Sequence, residues 1–403
     1  MVENNAMFHS FPANKSALAV LLGVVFLDNL GYAIVTPYLF FYVRSLGGSA
    51  FVYGALLASY SLMSFFFTPI VSQISDRYGR RLVLLIALAI SSFSYAVFGF
   101  AQSLLLLFVA RMLAGTTGAT VPVAQAYVTD ITDEKNRLRY LGLLGAAAGM
   151  AFIVGPALGG TLSSWFGYGV PSFLASALAF ANLISAYFRL HEPAHDATNE
   201  DKSESSFESF KKLIVKPKIA LLLAVYFIVS LAFIFLPTVL PIWLSHNFGY
   251  GSFETGILFF YVGAVTAITQ GVLLPRLSKT NTNERLLIYG VLLQAIGLLG
   301  LAAYANILLL IAVGAVFSLG FGIFNAASTT LISVNAPSKT KGISLGVAWA
   351  LSGVAQTIAP AFASYAFSYG ASVGFTGLPF AVSGLIGLTA FPLVWLFIKK
   401  SSE

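Results

Sequence analysis

Long apolar runs, broken by short polar or glycine-rich stretches, recur along the whole chain. A helix needs about 20 mostly apolar residues to cross the hydrocarbon core of a bilayer. Runs of that length occur twelve times, at 17–43, 52–74, 82–102, 104–128, 141–163, 170–190, 219–245, 254–275, 285–305, 307–333, 342–368 and 375–398. A membrane β-barrel would instead show alternating segments of about ten residues, so the spans are helices. The first sixteen residues are polar, the first apolar run is too long for a signal-peptide core and no A-x-A site closes it. That predicts no cleavable leader.

Composition agrees with the pattern. Of 403 residues, 58% are hydrophobic and only 9% charged, against about 25% charged in an ordinary soluble domain. The bilayer is therefore the solvent for nearly the whole chain. With no cysteine at all, thiol catalysis, cysteine zinc sites and disulfides drop out.

A net charge of +7 would point to nucleic acid in a soluble protein, but its placement gives it another meaning. With the N-terminus cytoplasmic, that side holds Lys15, Arg77, Arg80, Arg81, Lys135, Arg137, Arg139, Arg189, Lys202, Lys211, Lys212, Lys216, Lys218, Arg276, Lys279, Arg285, Lys339, Lys341, Lys399 and Lys400, which is 20 of the 22 basic residues. Arg44 alone falls outside and Arg111 alone falls within a span. The positive-inside rule then predicts both termini in the cytoplasm of a multi-pass protein, with the cell (inner) membrane as its place. Nucleic acid is excluded as a partner; the lipid bilayer is one.

Six spans precede, and six follow, the one long polar stretch. This divides the chain into an N-terminal bundle (1–190), a cytoplasmic linker (191–218) and a C-terminal bundle (219–403). In the linker, Phe207, Phe210 and Ile214 fall on one helical face, which suits a short helix lying on the membrane surface; a solvated linker fits the composition equally well. A shift of 204 residues pairs Pro37 with Pro241, Gly47 with Gly251, Gly118 with Gly322, Arg137 with Lys341, Gly142 with Gly346, Gly149 with Gly353 and Pro156 with Pro360. The prediction is an all-α membrane protein of twelve transmembrane helices in two six-helix pseudo-repeat bundles. Parallel repeats of this kind belong to transporters that bind substrate at the midplane between the halves. Chemistry was not duplicated: Asp28 pairs with Ala232 and Arg111 with Ala315.

Asp28 lies near the middle of the first span. A carboxylate there costs about 2.5–3.5 kcal/mol on insertion scales and is functional by default. It can take up and release a proton as its surroundings alternate between dry and wet, or it can hydrogen-bond neighbouring helices. Arg111 does not titrate; its field can act on a nearby carboxyl, or it can serve as a static strut. Between helices two and three, SDRYGRR supplies Asp76, Arg77, Gly79, Arg80 and Arg81. A reduced counterpart, with Gly271, Pro275, Arg276, Ser278 and Lys279, follows helix eight. Helix five reads GAAAGMAFIVGPALGG, with Gly149, Gly155, Pro156, Gly159 and Gly160. Small residues let helices approach, and Pro156 permits a bend.

These strings resemble the motifs of the major facilitator superfamily, in its twelve-helix drug:proton antiporter group and closest to tetracycline/proton antiporters. SDRYGRR is similar to the loop 2–3 motif, RMLAG with Arg111 and Gly115 to the helix-four motif, GPALGG to the helix-five antiporter motif, and LDNLGYAIVTP to the helix-one acidic motif. The resemblance implies the major facilitator fold. It also implies that Asp76 docks on the start of helix eleven and that Arg80 pairs with Asp130, latching an outward-facing state. Ser72 stands where the loop motif usually has glycine. The acids of tetracycline exporters in helices three and nine fall on Ser94 and Gln294, so tetracycline itself is not implied.

The function this predicts is proton-coupled efflux of a small lipophilic or amphipathic compound by alternating access. Protons and the small molecule are the partners of a monomer, with Asp28 as the titrating site and Arg111 as the second proton-coupling residue; contact between the two is not legible in the sequence. Tyr32, Gln125, Asn325, Trp349 and Gln356 are pocket candidates. A facilitator or proton symporter importing a neutral metabolite would use the same fold. An intramembrane enzyme is disfavoured, because aspartyl chemistry needs a second buried acid and His9, His191, His195 and His246 all lie at ends or interfaces. No metal site or cofactor is expected.

Overall fold

The structure, a computed structural model, describes residues 15–193, 217–303, 306–336 and 341–402. Within them, twelve helices are long and apolar enough to cross a membrane. They are numbered here as spans 1 to 12: Ser16–Val35, Ala50–Tyr78, Arg80–Gly99, Leu104–Ile131, Arg139–Phe166, Gly169–Arg189, Pro217–Phe248, Ser252–Leu277, Asn283–Ala302, Ile307–Asn335, Ile343–Ser372 and Leu378–Lys400. Every regular element among the described residues is helical, as a bilayer requires of backbone that must satisfy its own hydrogen bonds. The linker helix expected at Phe207, Phe210 and Ile214, with its lysines, lies outside the described residues, as does Lys339.

Two spans differ from the apolar runs that predicted them. The run 17–43 folds as a helix to Val35, a turn at 36–38 and a short helix Leu39–Ser45. Pro37 accounts for the break, since it lacks an N–H and disfavours the helical conformation of the residue before it. Span 4 divides into Leu104–Thr116 and Thr120–Ile131. Threonine hydroxyls take over carbonyls around the gap: Thr116 donates to Leu113 at 2.7 Å, Thr117 to Ala114 at 2.7 Å and Thr120 to Thr117 at 2.6 Å. Such local bonds compete with the helical ladder, and Pro122 withholds a further donor. Hydropathy alone cannot register this interruption, because every residue in it is small or apolar enough for the membrane.

Spans 1–6 pack among themselves, as do spans 7–12, and the two bundles meet chiefly where span 2 crosses span 11 and span 5 crosses span 8. The repeat is visible in those crossings. A Cβ on Gly54 would stand 2.6 Å from the Pro360 carbonyl oxygen, and one on Gly256 would stand 2.5 Å from that of Pro156. Two helices with a proline at equivalent positions are thus each crossed by a glycine of the opposite bundle. Pro156 also leaves the Phe152 carbonyl without its helical donor, and Gly263 of span 8 lies against that carbonyl. Ser163 donates to Ser252 at 2.9 Å and Arg44 to Ser245 at 3.2 Å, both across the bundle interface.

These contacts run from the end away from the chain termini to the middle of the spans, where Gly263 meets Phe152. In the terminal half, Gly142, Gly145 and Gly149 of span 5, Gly271 of span 8, and Gly346 and Gly353 of span 11 have empty space where a Cβ would stand. Glycine crossings thus hold the bundles together distally, and these glycines make none on the side that carries the Asp76–Arg81 loop.

Closure at the distal end tolerates no side chain at these crossings. In Gly256→Leu, overpacking of about 1–3 kcal/mol should lower the rate of disulfide formation between cysteines introduced at Ser163 and Ser252 by about 5- to 100-fold. Gel-shift of the oxidised protein measures it; an unchanged rate would mean the crossing is not under steric control.

Candidate functional site

The break in span 4 lies beside Asp28. Thr120, 1% exposed, is the first residue after the gap, and its side chain is a neighbour of the Asp28 carboxyl while its hydroxyl donates to the Thr117 carbonyl. The half-helix that Thr120 opens has no side-chain cap. The N-terminus of a helix favours a nearby negative charge. Discontinuous helices at mid-membrane depth supply this kind of ion site in transporters.

Arg111, on the first half of span 4, is 3% exposed. Its guanidinium lies over the ring of Tyr60 at 4.8 Å and that of Tyr32 at 5.6 Å, and its buried Nε has no hydrogen-bond partner. Tyr32 packs in turn on Tyr60 at 5.2 Å between ring centroids and edge-on to Phe152 at 6.2 Å. Tyr60 and Tyr95 both stand in the fields of Asp28 and Arg111, so spans 1, 2, 3 and 4 each contribute to one polar cluster. Asp28 and Arg111 are not an ion pair. Among the described residues the ion pairs are those of Arg80 with Asp76 and Asp130. Aromatic faces, worth about 0.5–2 kcal/mol per cation, stand in for the missing carboxylate.

Of the pocket candidates, the structure brings only Tyr32 into this cluster. Gln125, Asn325 and Gln356 are half-buried, and Trp349 is 52% exposed. Ser94 is buried and donates to the Ser91 carbonyl at 2.9 Å. Gln294, 2% exposed, donates to the Val229 carbonyl at 3.2 Å and ties span 9 to span 7. On span 5, Gly155 and Gly159 press on Ala33 and Ile34 of span 1, while Gly160 faces Gly256 and Gly149 has open space where a Cβ would stand.

At the terminal end, Arg80 donates from Nε to Asp130 at 3.1 Å and from Nη1 to Asp76 and to Ser75 at 3.3 Å. The Asp76 side chain remains 59% exposed, and Arg77 lies over the Tyr78 ring at 5.8 Å. Gly79 turns the chain at φ +104°, a conformation only glycine adopts without strain. The carboxylate of Glu192 accepts from the backbone N–H of Arg80 at 2.5 Å and of Arg81 at 3.1 Å. Sequence reasoning missed Glu192, Tyr60, Tyr95 and Thr120. Each acts through a partner distant in sequence, and the only signal available was their polarity within or at the edge of an apolar run.

Comparison with known proteins fits this geometry to a family. The family model described as Major Facilitator Superfamily matches residues 21–360. The chain belongs to that superfamily. It is 30% identical to the class E tetracycline resistance protein of Escherichia coli, covering 89% of each chain. To the class D tetracycline resistance protein of Salmonella ordonez it is 31% identical, over 88% of this chain and 90% of that one. To multidrug resistance protein 1 of Bacillus subtilis the identity is 28%, over 78% and 81% of the two chains. The crystal structure of a bacterial homologue of the human lysosomal transporter Spinster, inward-facing and unoccupied, superposes with a TM-score of 0.82 at 15% identity over 96% of this chain and 97% of that one. The fold is therefore the major facilitator fold, and the protein is a multi-pass membrane transporter of the superfamily.

The aromatic wrapping of Arg111 makes a prediction of its own. Tyr60→Leu removes one ring face and should cost about 0.5–2 kcal/mol, read as a lower thermal unfolding midpoint in detergent. Tyr60→Phe keeps the face and should stay near wild type. Equal losses in both would assign the effect to the hydroxyl instead.

Proposed function

We propose that the protein exports a small lipophilic or amphipathic compound in exchange for protons, with Asp28 as the proton-carrying group. The observation that carries this reading is the unpaired state of Asp28. Its carboxyl stands beside the interrupted helix of span 4 while the nearby Arg111 rests on tyrosine rings. A carboxylate locked to an arginine would hold its charge through the cycle; one without an ion-pair partner can exchange a proton. The relatives named for tetracycline and multidrug resistance support export of an antibiotic-like compound. The replacement of two membrane acids by Ser94 and Gln294 favours a substrate other than tetracycline.

The basic end is read as cytoplasmic by the positive-inside rule, which makes the described state open to the cytoplasm and closed at the Gly54, Gly160 and Gly256 crossings. Residues 1–190 and 219–403 rock as two bodies about those crossings. In the inward-open state the compound enters the cleft past Trp349 and Gln356 while Asp28 is ionised. Distal opening then admits a proton to Asp28, which changes the charge facing the tyrosine cluster and releases the compound outward. In the loop between spans 2 and 3, Arg80 holds Asp76 and Asp130 together, and Asp76, whose side chain is 59% exposed, exchanges this partner for the start of span 11 when the terminal end closes. A carboxylate at a helix N-terminus contributes about 0.3–1 kcal/mol to that closure.

Purified protein in liposomes, given an imposed pH gradient and a panel of lipophilic compounds, tests the assignment. Asp28→Asn should lose gradient-driven transport by at least about tenfold while retaining gradient-independent exchange of the same compound. Unchanged proton coupling in that variant would sink the assignment. Movement of the compound with the protons, rather than against them, would favour the importing symporter.

A further inference from the structure

The helix that opens span 3 has no cap of its own. The residue before it is Gly79, which has no side chain to offer its first amides. The corresponding helix of the second bundle, span 9, starts behind Thr282, whose hydroxyl accepts from the Arg285 N–H at 3.4 Å in the ordinary local way. Span 3 instead takes its cap from Glu192, just past the end of span 6. The two carboxylate oxygens accept from two successive amides, Arg80 at 2.5 Å and Arg81 at 3.1 Å. The fit is close enough that a Cβ on Gly79 would stand 2.6 Å from the Glu192 carboxyl carbon. Neighbouring contacts hold the same segment: Tyr127 of span 4 donates to the His191 carbonyl, and Arg81 donates to the Tyr187 carbonyl at 2.8 Å.

The residue whose amide Glu192 holds is also the one whose guanidinium bridges Asp76 of span 2 and Asp130 of span 4. Turning the first turn of span 3 would swing that guanidinium away from one acid or the other. We propose that Glu192 is a positioning residue of loop 2–3. It fixes the origin of the Arg80 side chain and ties the Asp76–Arg80–Asp130 bridge to the segment of chain that leads toward the second bundle. This rests on the reading of that bridge as a conformational latch.

The chemistry of the cap dictates the variant. In Glu192→Gln one oxygen still accepts, but the amide NH2 turns a donor toward the second N–H, so the bidentate hold is lost with little change in size. Because the chain has no cysteine, spin labels can be placed without background at Gly142 and Gly346. These are pseudo-equivalent positions on spans 5 and 11 with open space around them. The distance between the labels reports the separation of the halves at the terminal end. Glu192→Gln should shift this distribution by about tenfold in population ratio. It should lower the maximal transport rate without raising KM, and add nothing in a chain that already carries Arg80→Ala. Glu284→Gln, at the start of span 9, should leave both readouts at wild type.

If Arg80→Ala itself leaves the distances unchanged, the latch reading falls and the Glu192 assignment with it. If Arg80→Ala shifts them and Glu192→Gln does not, or if the two effects add, the assignment to Glu192 alone is wrong. Should Glu192→Gln not yield folded protein, Gly79→Ala displaces the same carboxylate from the opposite side. It must then move the distances in the same direction or overturn the proposal.

Discussion

A charge surrounded by hydrocarbon has to be neutralised, paired or wrapped, and the arrangement of this chain follows from how it treats the few it admits. Nearly every basic residue lies outside the apolar runs of the sequence, where charge costs little. Arg111 is admitted because the faces of Tyr32 and Tyr60 wrap it. Asp28 lies where span 4 gives up its helical ladder, with Thr120 as a neighbour. The two charges share one cluster without forming an ion pair.

The repeat sets the mechanics, and its failure to repeat sets the chemistry. Proline and glycine crossings recur on both sides of the bundle interface, so Gly54 stands to Pro360 as Gly256 stands to Pro156. A pivot built from two equivalent contacts lets the halves rock without favouring one edge of the cleft. Ionisable groups have no such symmetry, since Ala232 and Ala315 fill the positions of Asp28 and Arg111. The membrane-embedded charges therefore belong to one bundle, and the second carries half-buried amides such as Asn325 and Gln356.

Most of the fold was legible in the sequence because it depends on long apolar runs and on one constant offset, both of which average over many residues. Asp28, Arg111 and the Asp76–Arg81 loop were legible for the opposite reason, as charges where apolar residues are the rule. The break in span 4 was not, since threonine and glycine suit a membrane helix and an interruption of one equally well. Tyr60 and Tyr95 look like ordinary lipid-facing or core aromatics until their rings are seen beside Arg111 and Asp28. Glu192 falls within the polar stretch 191–218, and nothing short of a three-dimensional contact joins it to an amide 112 residues earlier.

The two ends of the cleft are held by different physics. At the distal end the contacts are glycine on carbonyl, a serine pair between Ser163 and Ser252, and one bond from Arg44 to Ser245. These are short-range and indifferent to salt, so closure there depends on shape. At the terminal end the bridge of Arg80 with Asp76 and Asp130 is ionic and partly exposed, and added salt weakens such exposed pairs. Span 4 is the element common to the polar cluster and to this bridge. It carries Arg111 before the break, Thr120 at it and Asp130 beyond it. One interrupted helix therefore joins the membrane-embedded charges to the ionic bridge at the terminal end.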